Sequence, residues 1–341
     1  MRVPIHPLSA VLTVVALAAC EGREERVARP APGATATGTA APAVAVPASF
    51  DPSAWRPPAD AEIPRDSLGS SIRRGLALLR DTPDSLPAHA PGRIGCANCH
   101  LDGGRSPVAA PLAGSHARFP KYMPRSGGVI GLADRVNYCF TRSLAGRRLP
   151  HESREMQDIL AYLAFLSRGV PVGAGQRLPG ADGLAKIPGA EALATALPGD
   201  SARGAGVYGA RCASCHAADG AGHAANGARI PALWGPGSYS VGASMARQER
   251  AAAFIWHNMP LAQARSLTPQ QAYDVAAYVN AHPRPDSPGK EDDWPGGGAP
   301  RDVPYQLRSG QAAFRPPAVL PRAGGDETRV PLPPRVSRRE R

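Results

Sequence analysis

Two copies of the pattern Cys-x-x-Cys-His constrain this 341-residue chain more than any other feature of its sequence. They lie at residues 96–100 and 212–216, and each sets two thiols directly before an imidazole. This pattern attaches haem c, because both thiols bond covalently to the porphyrin edge and the histidine then binds the iron. A pair of redox or zinc sites is the alternative, and the repetition of the whole motif favours haem. The sequence therefore predicts two covalently bound haem c groups, held by Cys96, Cys99 and His100 and by Cys212, Cys215 and His216.

The two halves of the chain repeat one pattern around these motifs. Residues 158–163 follow Cys96 at the same offset at which residues 274–279 follow Cys212. Apolar residues at three-and-four spacing predict an amphipathic helix after Ser153, and Thr268 caps its counterpart. Further helices are expected over 70–80 and 201–213, and alternating strand patterns are absent. The predicted fold class is all-α, with two class I-like cytochrome c domains joined by a linker between disordered tails.

The N-terminus predicts export from the cytoplasm. An apolar run at 10–17 ends in small residues and Cys20, and it is too short to span a bilayer as a permanent helix. The arrangement resembles a bacterial lipoprotein signal, in which Cys20 becomes the lipidated first residue. The alternative is an ordinary secretory signal with an incidental cysteine. Either signal predicts a periplasmic protein, and lipidation would also anchor it to a bacterial membrane.

Composition divides the rest of the chain. Stretches rich in Ala and Pro near the N-terminus, and in Pro, Gly and Arg near the C-terminus, hold few large apolar residues and are typical of unfolded segments. The predicted boundaries are a signal peptide at 1–20, a tether at 21–59, a catalytic cytochrome c domain at 60–170, a linker at 171–199, an electron-transfer cytochrome c domain at 200–283 and a disordered tail at 284–341.

Positive charge is concentrated near the first motif. The formal net charge is +11, and residues 92–150 hold nine basic residues against two acidic ones. This charge indicates either a solvated face that steers an acidic redox partner or a pocket for a small anion, since guanidinium groups match oxyanion geometry. Nucleic acid is excluded as a partner because an exported haem protein does not meet it.

The sixth iron ligand decides whether a haem only carries electrons or performs chemistry. For the second haem the candidate is Met259, with Met245 and His257 as competitors. For the first haem the six cysteines are informative, because Cys20 and the two motifs account for all except Cys139. Cys139 stands ahead of the last helix of its half, and the alternative is a buried inert cysteine with Met123 as the ligand. The other histidines, His116, His151, His223, His257 and His282, are interpreted as surface or structural residues.

The sequences around Cys139 and Met259 resemble the two-haem thiosulfate dehydrogenases of the TsdA type. The matching segments are 99–105, 123–127 and 134–143 in the first half and 233–239, 245–247, 258–260 and 274–279 in the second. The resemblance implies a catalytic haem ligated by His100 and Cys139 beside an electron-transfer haem ligated by His216 and Met259. It also implies active-site roles for Arg125, Arg135 and Ser143. Asn258 departs from the pattern, because some relatives carry there a lysine that competes for the second iron.

The reaction implied by this resemblance joins two thiosulfate ions into tetrathionate and releases two electrons. The expected partners are these small sulfur anions and a periplasmic or membrane electron carrier, such as a cytochrome c or a high-potential iron-sulfur protein. Three alternatives stay open at this point. The enzyme can work mainly as a tetrathionate reductase, the chain can be a non-catalytic electron-transfer cytochrome, or it can be a SoxA-like subunit.

Overall fold

The computed structural model describes residues 50–181, 190–196, 198–225 and 228–314. This part of the chain is mainly helical, which confirms the predicted all-α class. Its α-helices are α1 Ser67–Arg80, α2 Thr82–Ser85, α3 Leu132–Tyr138, α4 Arg154–Phe165, α5 Ser201–Arg211, α6 Ala213–His216, α7 Gln248–Asn258 and α8 Pro269–Ala281, and a π-helix at Cys139–Ser143 continues α3. Two short antiparallel hairpins, not expected from the sequence, pair β1 Lys121–Met123 with β2 Gly128–Ile130 and β3 His223–Ala225 with β4 Ala228–Ile230.

The predicted helix starts are confirmed by their caps. The Ser153 side chain accepts a hydrogen bond from the Met156 N–H, and Thr268 forms a complete capping box with Gln271. Pro269 occupies the first turn of α8, where its missing N–H has no partner to lose. These caps determine the residues at which α4 and α8, the last helices of the two halves, begin.

In each half, the first long helix crosses the last one at a glycine. A β-carbon added at Gly75 of α1 would lie 2.0 Å from the Asp158 carbonyl oxygen of α4. One added at Gly204 of α5 would lie 2.0 Å from the Asp274 carbonyl oxygen of α8. No other residue permits so close a backbone approach. The repeat seen in the sequence is therefore a repeat of one helix crossing.

An ion pair flanks each crossing. Arg74 Nε lies 2.7 Å from Asp158 Oδ2, and Arg203 Nε lies 2.8 Å from Asp274 Oδ2. Both carboxylates are only 5% exposed, whereas the arginines reach solvent. Burial raises the pKa of Asp274, but the hydrogen bonds from Arg203 and from a backbone N–H outweigh burial and lower that pKa below 3.8.

The two domains share a core across their boundary. Tyr239, Ala243 and Ala246 of the second domain are buried in one apolar cluster with Phe140 and Met156 of the first. Backbone groups also meet, because Ser240 N–H donates to the Ser143 carbonyl at 3.1 Å. The two domains are thus packed against each other, whereas the sequence predicted only that a linker joins them.

Residues 284–314, here called the C-terminal segment, fold against both domains. Trp294, Val303, Tyr305 and Leu307 are buried together in an apolar cluster. The predicted tail therefore begins later than residue 284, because four large apolar side chains suffice to pack this Pro- and Gly-rich stretch onto a preformed surface. The end of the predicted tether is also engaged, since Trp55 Nε1 donates to the Arg168 carbonyl at 3.0 Å.

Several predicted features lie outside the described residues. They are the signal peptide with Cys20, the tether up to residue 49, residues 182–189 and 197 of the linker, and the tail from residue 315. Within the described ranges, no helix combines the length and apolarity needed to cross a membrane.

The glycine crossing predicts a sharp difference between two substitutions in α5. Gly204→Ala is expected to lower the free energy of unfolding by about 1–3 kcal/mol, because the added methyl meets backbone that cannot move independently. Gly206→Ala is the control, since a β-carbon there meets nothing within 4 Å. This control is expected to be neutral or to stabilise by up to about 1 kcal/mol. Urea unfolding of the haem-loaded proteins measures both, and equal effects would reject the close approach.

The Asp274 ion pair predicts a pH-dependent contribution to stability. The folded pKa lies below the unfolded value, so the contribution is complete above 3.8 and is lost as pH falls through the folded pKa. At pH 7 Asp274→Asn should therefore reduce the free energy of unfolding by about 1–3 kcal/mol. The difference from wild type should shrink as pH drops below 3.8. Asp286→Asn, which removes an exposed pair with Lys290, should cost less than about 1 kcal/mol at every pH.

Candidate functional site

An apolar cavity in the first domain brings together Cys96, His100 and Cys139. The rest of its wall comes from α1, the start of α2, α3, the π-helix, α4 and two leucines outside these elements: Leu78, Leu79, Thr82, Val136, Phe140, Ile159 and Leu163, with Leu112 and Leu144. A thiol of the motif, its histidine and an apolar enclosure are the groups that a covalently bound porphyrin needs. The residues present therefore fit a haem c group, for which Cys96 and Cys99 would be the attachment points.

The histidines of the two motifs are oriented in the same way. His100 Nδ1 is hydrogen-bonded to the Ala110 carbonyl, and His216 Nδ1 lies 3.0 Å from the Pro231 carbonyl. A carbonyl at Nδ1 fixes the tautomer and leaves Nε2 as the metal-binding nitrogen. In both rings Nδ1 is thus held by a backbone carbonyl, and Nε2 is the nitrogen that could bind iron.

Cys139 is the distinctive thiol of the cavity. It begins the π-helix, one turn after Arg135, and residues four apart share a helix face. Arg135 Nη1 accordingly donates to Cys139 Sγ at 3.1 Å. Burial raises the pKa of the Cys139 thiol, but the charge of Arg135 and a hydrogen bond with His100 outweigh burial and lower that pKa from 9.0 to about 6. The side chain is therefore poised as a thiolate that faces His100.

The pKa values of the cysteines in the first motif are raised, whereas that of Cys139 is lowered. Burial raises the pKa of Cys96 to about 11 and that of Cys99 to about 12, and the charge of Cys139 adds to both shifts. The positive groups of the cavity are thus directed at Cys139 and not at the attachment thiols.

Met123, the competing candidate, lies elsewhere. It ends β1 in the hairpin, and its carbonyl accepts hydrogen bonds from the N–H groups of Ser126 and Gly127 at 2.9 Å. It is not part of the wall of the cavity, whereas Cys139 is. Of the two candidates, the fold thus brings Cys139 to His100.

Arg125 and Ser143, unlike Cys139, do not line this cavity. Arg125 follows the hairpin strand β1, and its Nε donates to Asp293 Oδ2 at 2.9 Å. Ser143 ends the π-helix and is partly buried at the domain boundary. Arg142, one residue earlier, also contacts Asp293, with 2.5 Å between Nη2 and Oδ1. In the sequence, Arg142 stands out only as a positive charge. Asp293 does not stand out at all, because Asp293 lies in a stretch whose composition predicts disorder.

In the second domain Met259 directly follows α7. Its backbone N–H donates to the Ile255 carbonyl at 2.8 Å, and its side chain packs against a cluster that includes Phe254 and Trp256. The preceding Asn258 is buried and donates through Nδ2 to the Val108 carbonyl of the first domain at 2.7 Å. Asn258 therefore makes a contact between the two domains.

The competing ligand candidates of the second haem, His257 and Met245, contact aromatic and apolar neighbours. His257 is buried beside Trp256 and lies 3.4 Å from Arg265 Nη2 through its Nδ1. Met245 packs against clusters of both domains. Among the other histidines, His282 stacks on Trp234 with ring centroids 4.1 Å apart. These contacts agree with the structural interpretation of His257 and His282.

The chain is similar to known cytochromes c and thiosulfate dehydrogenases. Residues 88–172 match the family model "SoxA/TsdA, cytochrome c domain", and residues 201–283 match "Cytochrome c". The thiosulfate dehydrogenase of Allochromatium vinosum is 43% identical over 237 residues, which cover 67% of this chain and 83% of the relative. That of Psychrobacter arcticus is 35% identical over 72% of this chain and 73% of the relative.

A solved structure agrees. The thiosulfate dehydrogenase TsdBA of Marichromatium purpuratum is 35% identical, with a TM-score of 0.61 over 69% of this chain. The alignment covers half of that longer chain. These similarities, together with the two motifs, show two cytochrome c domains and two haem c groups.

Proposed function

Because the chain belongs to the thiosulfate dehydrogenase (TsdA) family of two-haem cytochromes c, we propose that it couples two thiosulfate ions into tetrathionate. The reaction takes place at a haem ligated by His100 and Cys139, and the electrons leave through a haem ligated by His216 and Met259. One observation carries the proposal: Cys139 shares an apolar cavity with His100 while Arg135 donates to its sulfur at 3.1 Å. A plain electron carrier has no need of an activated thiol there.

The positive groups have a defined task in this reaction. Two thiosulfate dianions repel each other, and the repulsion grows where water is excluded. Arg135 beside Cys139 and Arg125 near the domain boundary provide guanidinium groups whose N–H donors match sulfonate oxygens. Ser143 adds a hydroxyl donor. Together these residues lower the energy needed to bring the two anions to one sulfur.

Cys139 can then act as a temporary sulfur carrier. Its thiolate and the terminal sulfur of one thiosulfate form an S–S bond with loss of two electrons. Haems held at His100 and His216 would supply the two one-electron acceptors. The second thiosulfate then attacks, through its terminal sulfur, the adduct sulfur that is bonded to Cys139 Sγ. The bond to Sγ breaks, so tetrathionate leaves and the Cys139 thiolate returns. Atoms and electrons balance, and the positive charge of Arg135 stabilises the thiolate at both the start and the end.

Location and partners complete the proposal. The N-terminal signal would export the chain to the periplasm, and lipidation at Cys20 would attach it to a membrane through the Ala- and Pro-rich tether. Electrons would pass to a periplasmic or membrane carrier, such as a cytochrome c or a high-potential iron-sulfur protein.

The role of Cys139 is tested by tetrathionate formation with ferricyanide as electron acceptor. Cys139→Gly should lower kcat by at least about 100-fold, because the sulfur carrier is removed, while both haems stay attached. Met123→Leu is the matched control for the competing ligand and should keep wild-type activity. The wild-type spectrum should show a thiolate-ligated low-spin haem that only Cys139→Gly removes. Full activity of Cys139→Gly, or loss of the thiolate signature in Met123→Leu, would contradict the proposal.

The role of Met259 is separable from the chemistry. Met259→Leu should lower the reduction potential of one haem, since thioether ligation raises it, and should slow steady-state turnover. Rapid mixing with thiosulfate alone should still reduce the first haem at the wild-type rate. Met245→Leu, at the competing methionine, should leave the potential of this haem unchanged. A fall in potential caused by Met245→Leu would reassign the ligand.

A further inference from the structure

We propose that Asp293 is a positioning residue of the active site, which holds the guanidinium groups of Arg125 and Arg142 in place to receive the substrate oxyanion. Asp293 belongs to the C-terminal segment, beyond the residues that match either cytochrome c domain. The inference rests on the proposed function for the identity of the anion. It adds a residue from outside both domains to the site.

The contacts of Asp293 are those of a buried bridge. Its side chain is 1% exposed. Arg125 reaches Oδ2 through Nε at 2.9 Å and Nη2 at 2.8 Å, and Arg142 reaches Oδ1 through Nη2 at 2.5 Å. The Tyr305 hydroxyl donates to Oδ2 at 2.7 Å. One carboxylate therefore joins two arginines from separate parts of the first domain.

One of the two arginines lies on the same helix as Cys139. Arg142 lies on the π-helix that Cys139 begins, and Arg125 follows the hairpin strand β1. Each guanidinium is also stacked on an aromatic ring, Arg142 over Tyr138 at 4.0 Å and Arg125 over Trp294 at 4.9 Å. Stacking and the shared carboxylate together fix the planes of both groups.

Donors remain for a ligand after these contacts. Asp293, the Gly242 carbonyl and the Tyr305 hydroxyl engage Nε and Nη2 of Arg125, and Asp293 engages Nη2 of Arg142. Within the described chain no hydrogen bond is made by Nη1 of Arg125 or by Nε and Nη1 of Arg142. These N–H groups are what a sulfonate would accept from.

Electrostatics explains why a carboxylate is needed between them. Burial lowers the pKa of Arg142, and repulsion from Arg125 lowers it further, while Asp293 opposes both effects. Two buried guanidiniums without a counter-ion would move apart or toward water. Asp293 thus permits two positive groups to stay close together at the domain boundary.

The sign of the effect separates positioning from simple charge. If Asp293 acted only as a negative charge near an anion pocket, removing the charge would strengthen thiosulfate binding. If Asp293 positions the arginines, removing it weakens binding, because oxyanion recognition depends on the direction of each N–H. We expect the loss of geometry to prevail, since the carboxylate is already neutralised by two contacts shorter than 3 Å.

The C-terminal segment supplies matched controls. Asp302 is a second buried carboxylate of the same segment, paired with Arg247 at 2.7 Å and bonded to the Glu249 N–H at 3.0 Å near the start of α7. Asp292 is the exposed neighbour of Asp293 and pairs with Arg308. Asp302→Asn weakens docking of the segment without touching Arg125 or Arg142, and Asp292→Asn alters charge next to the site without altering the bridge.

The experiment uses the haem-loaded full chain with two readouts. In the tetrathionate assay, Asp293→Asn should raise KM for thiosulfate about tenfold or more, with kcat changed less than about threefold. Calorimetric titration with sulfate, an oxyanion that is not oxidised here, should show a comparable loss of affinity. Asp293→Glu should recover part of the affinity, and both control variants should bind as wild type does. If Asp293→Asn does not fold, Tyr305→Phe, which removes one bond to the carboxylate, should raise KM about twofold to fivefold.

Each outcome decides the matter. A lowered or unchanged KM for Asp293→Asn, or for Tyr305→Phe if that variant is used, would overturn the inference. An equal rise in Asp302→Asn would assign the effect to docking of the segment and would also overturn it. If wild type made no tetrathionate, the proposed function would fall, whereas the sulfate titration would still test Asp293.

Discussion

Burial of the Cys139 thiol beside Arg135 is the constraint on which the rest of this structure depends. An apolar cavity favours the neutral thiol, and Arg135 and the hydrogen bond with His100 oppose that effect and lower the pKa of Cys139. That arrangement requires a helix to place the arginine one turn before the cysteine. It also requires a second wall, formed by α1 and α4, to keep water away. The glycine crossing of these two helices therefore positions two walls of the cavity in which we propose the reaction takes place.

The two domains keep the same scaffold and differ where the sixth ligand is expected. Both use a glycine crossing and an aspartate paired with an arginine of the first helix, and both orient the motif histidine through a carbonyl. In the first domain the candidate ligand, Cys139, begins a π-helix, whereas in the second, Met259 follows the end of α7. π-Helical turns often occur at functional sites because the extra residue re-aims a side chain. The two domains thus share one frame and differ at the residues that we propose as the sixth iron ligands.

Local signals made much of this predictable from sequence. The Cys-x-x-Cys-His motifs, the caps at Ser153 and Thr268, and the repeated offset depend on neighbours along the chain, and they located the helices and candidate ligands. The hairpins, the shared core around Tyr239 and the bridge at Asp293 depend on contacts between distant residues. The start of the tail predicted from composition was wrong. Residues 284–314 are rich in proline and glycine, but a few of their large apolar side chains pack together and against the second domain.

The C-terminal segment shows why such contacts matter for function. Its carboxylates pair with arginines of both domains: Asp293 holds Arg125 and Arg142, and Asp302 holds Arg247 beside the first turn of α7. Carboxylates are favourable at helix N-termini, so Asp302 also supports the helix that leads to Met259. One segment outside both haem domains is therefore bonded to the arginines near the proposed reaction centre and to the helix that precedes the expected electron exit. A displacement of this segment would therefore disturb the contacts with Arg125 and Arg142 and the contact with the start of α7 at the same time.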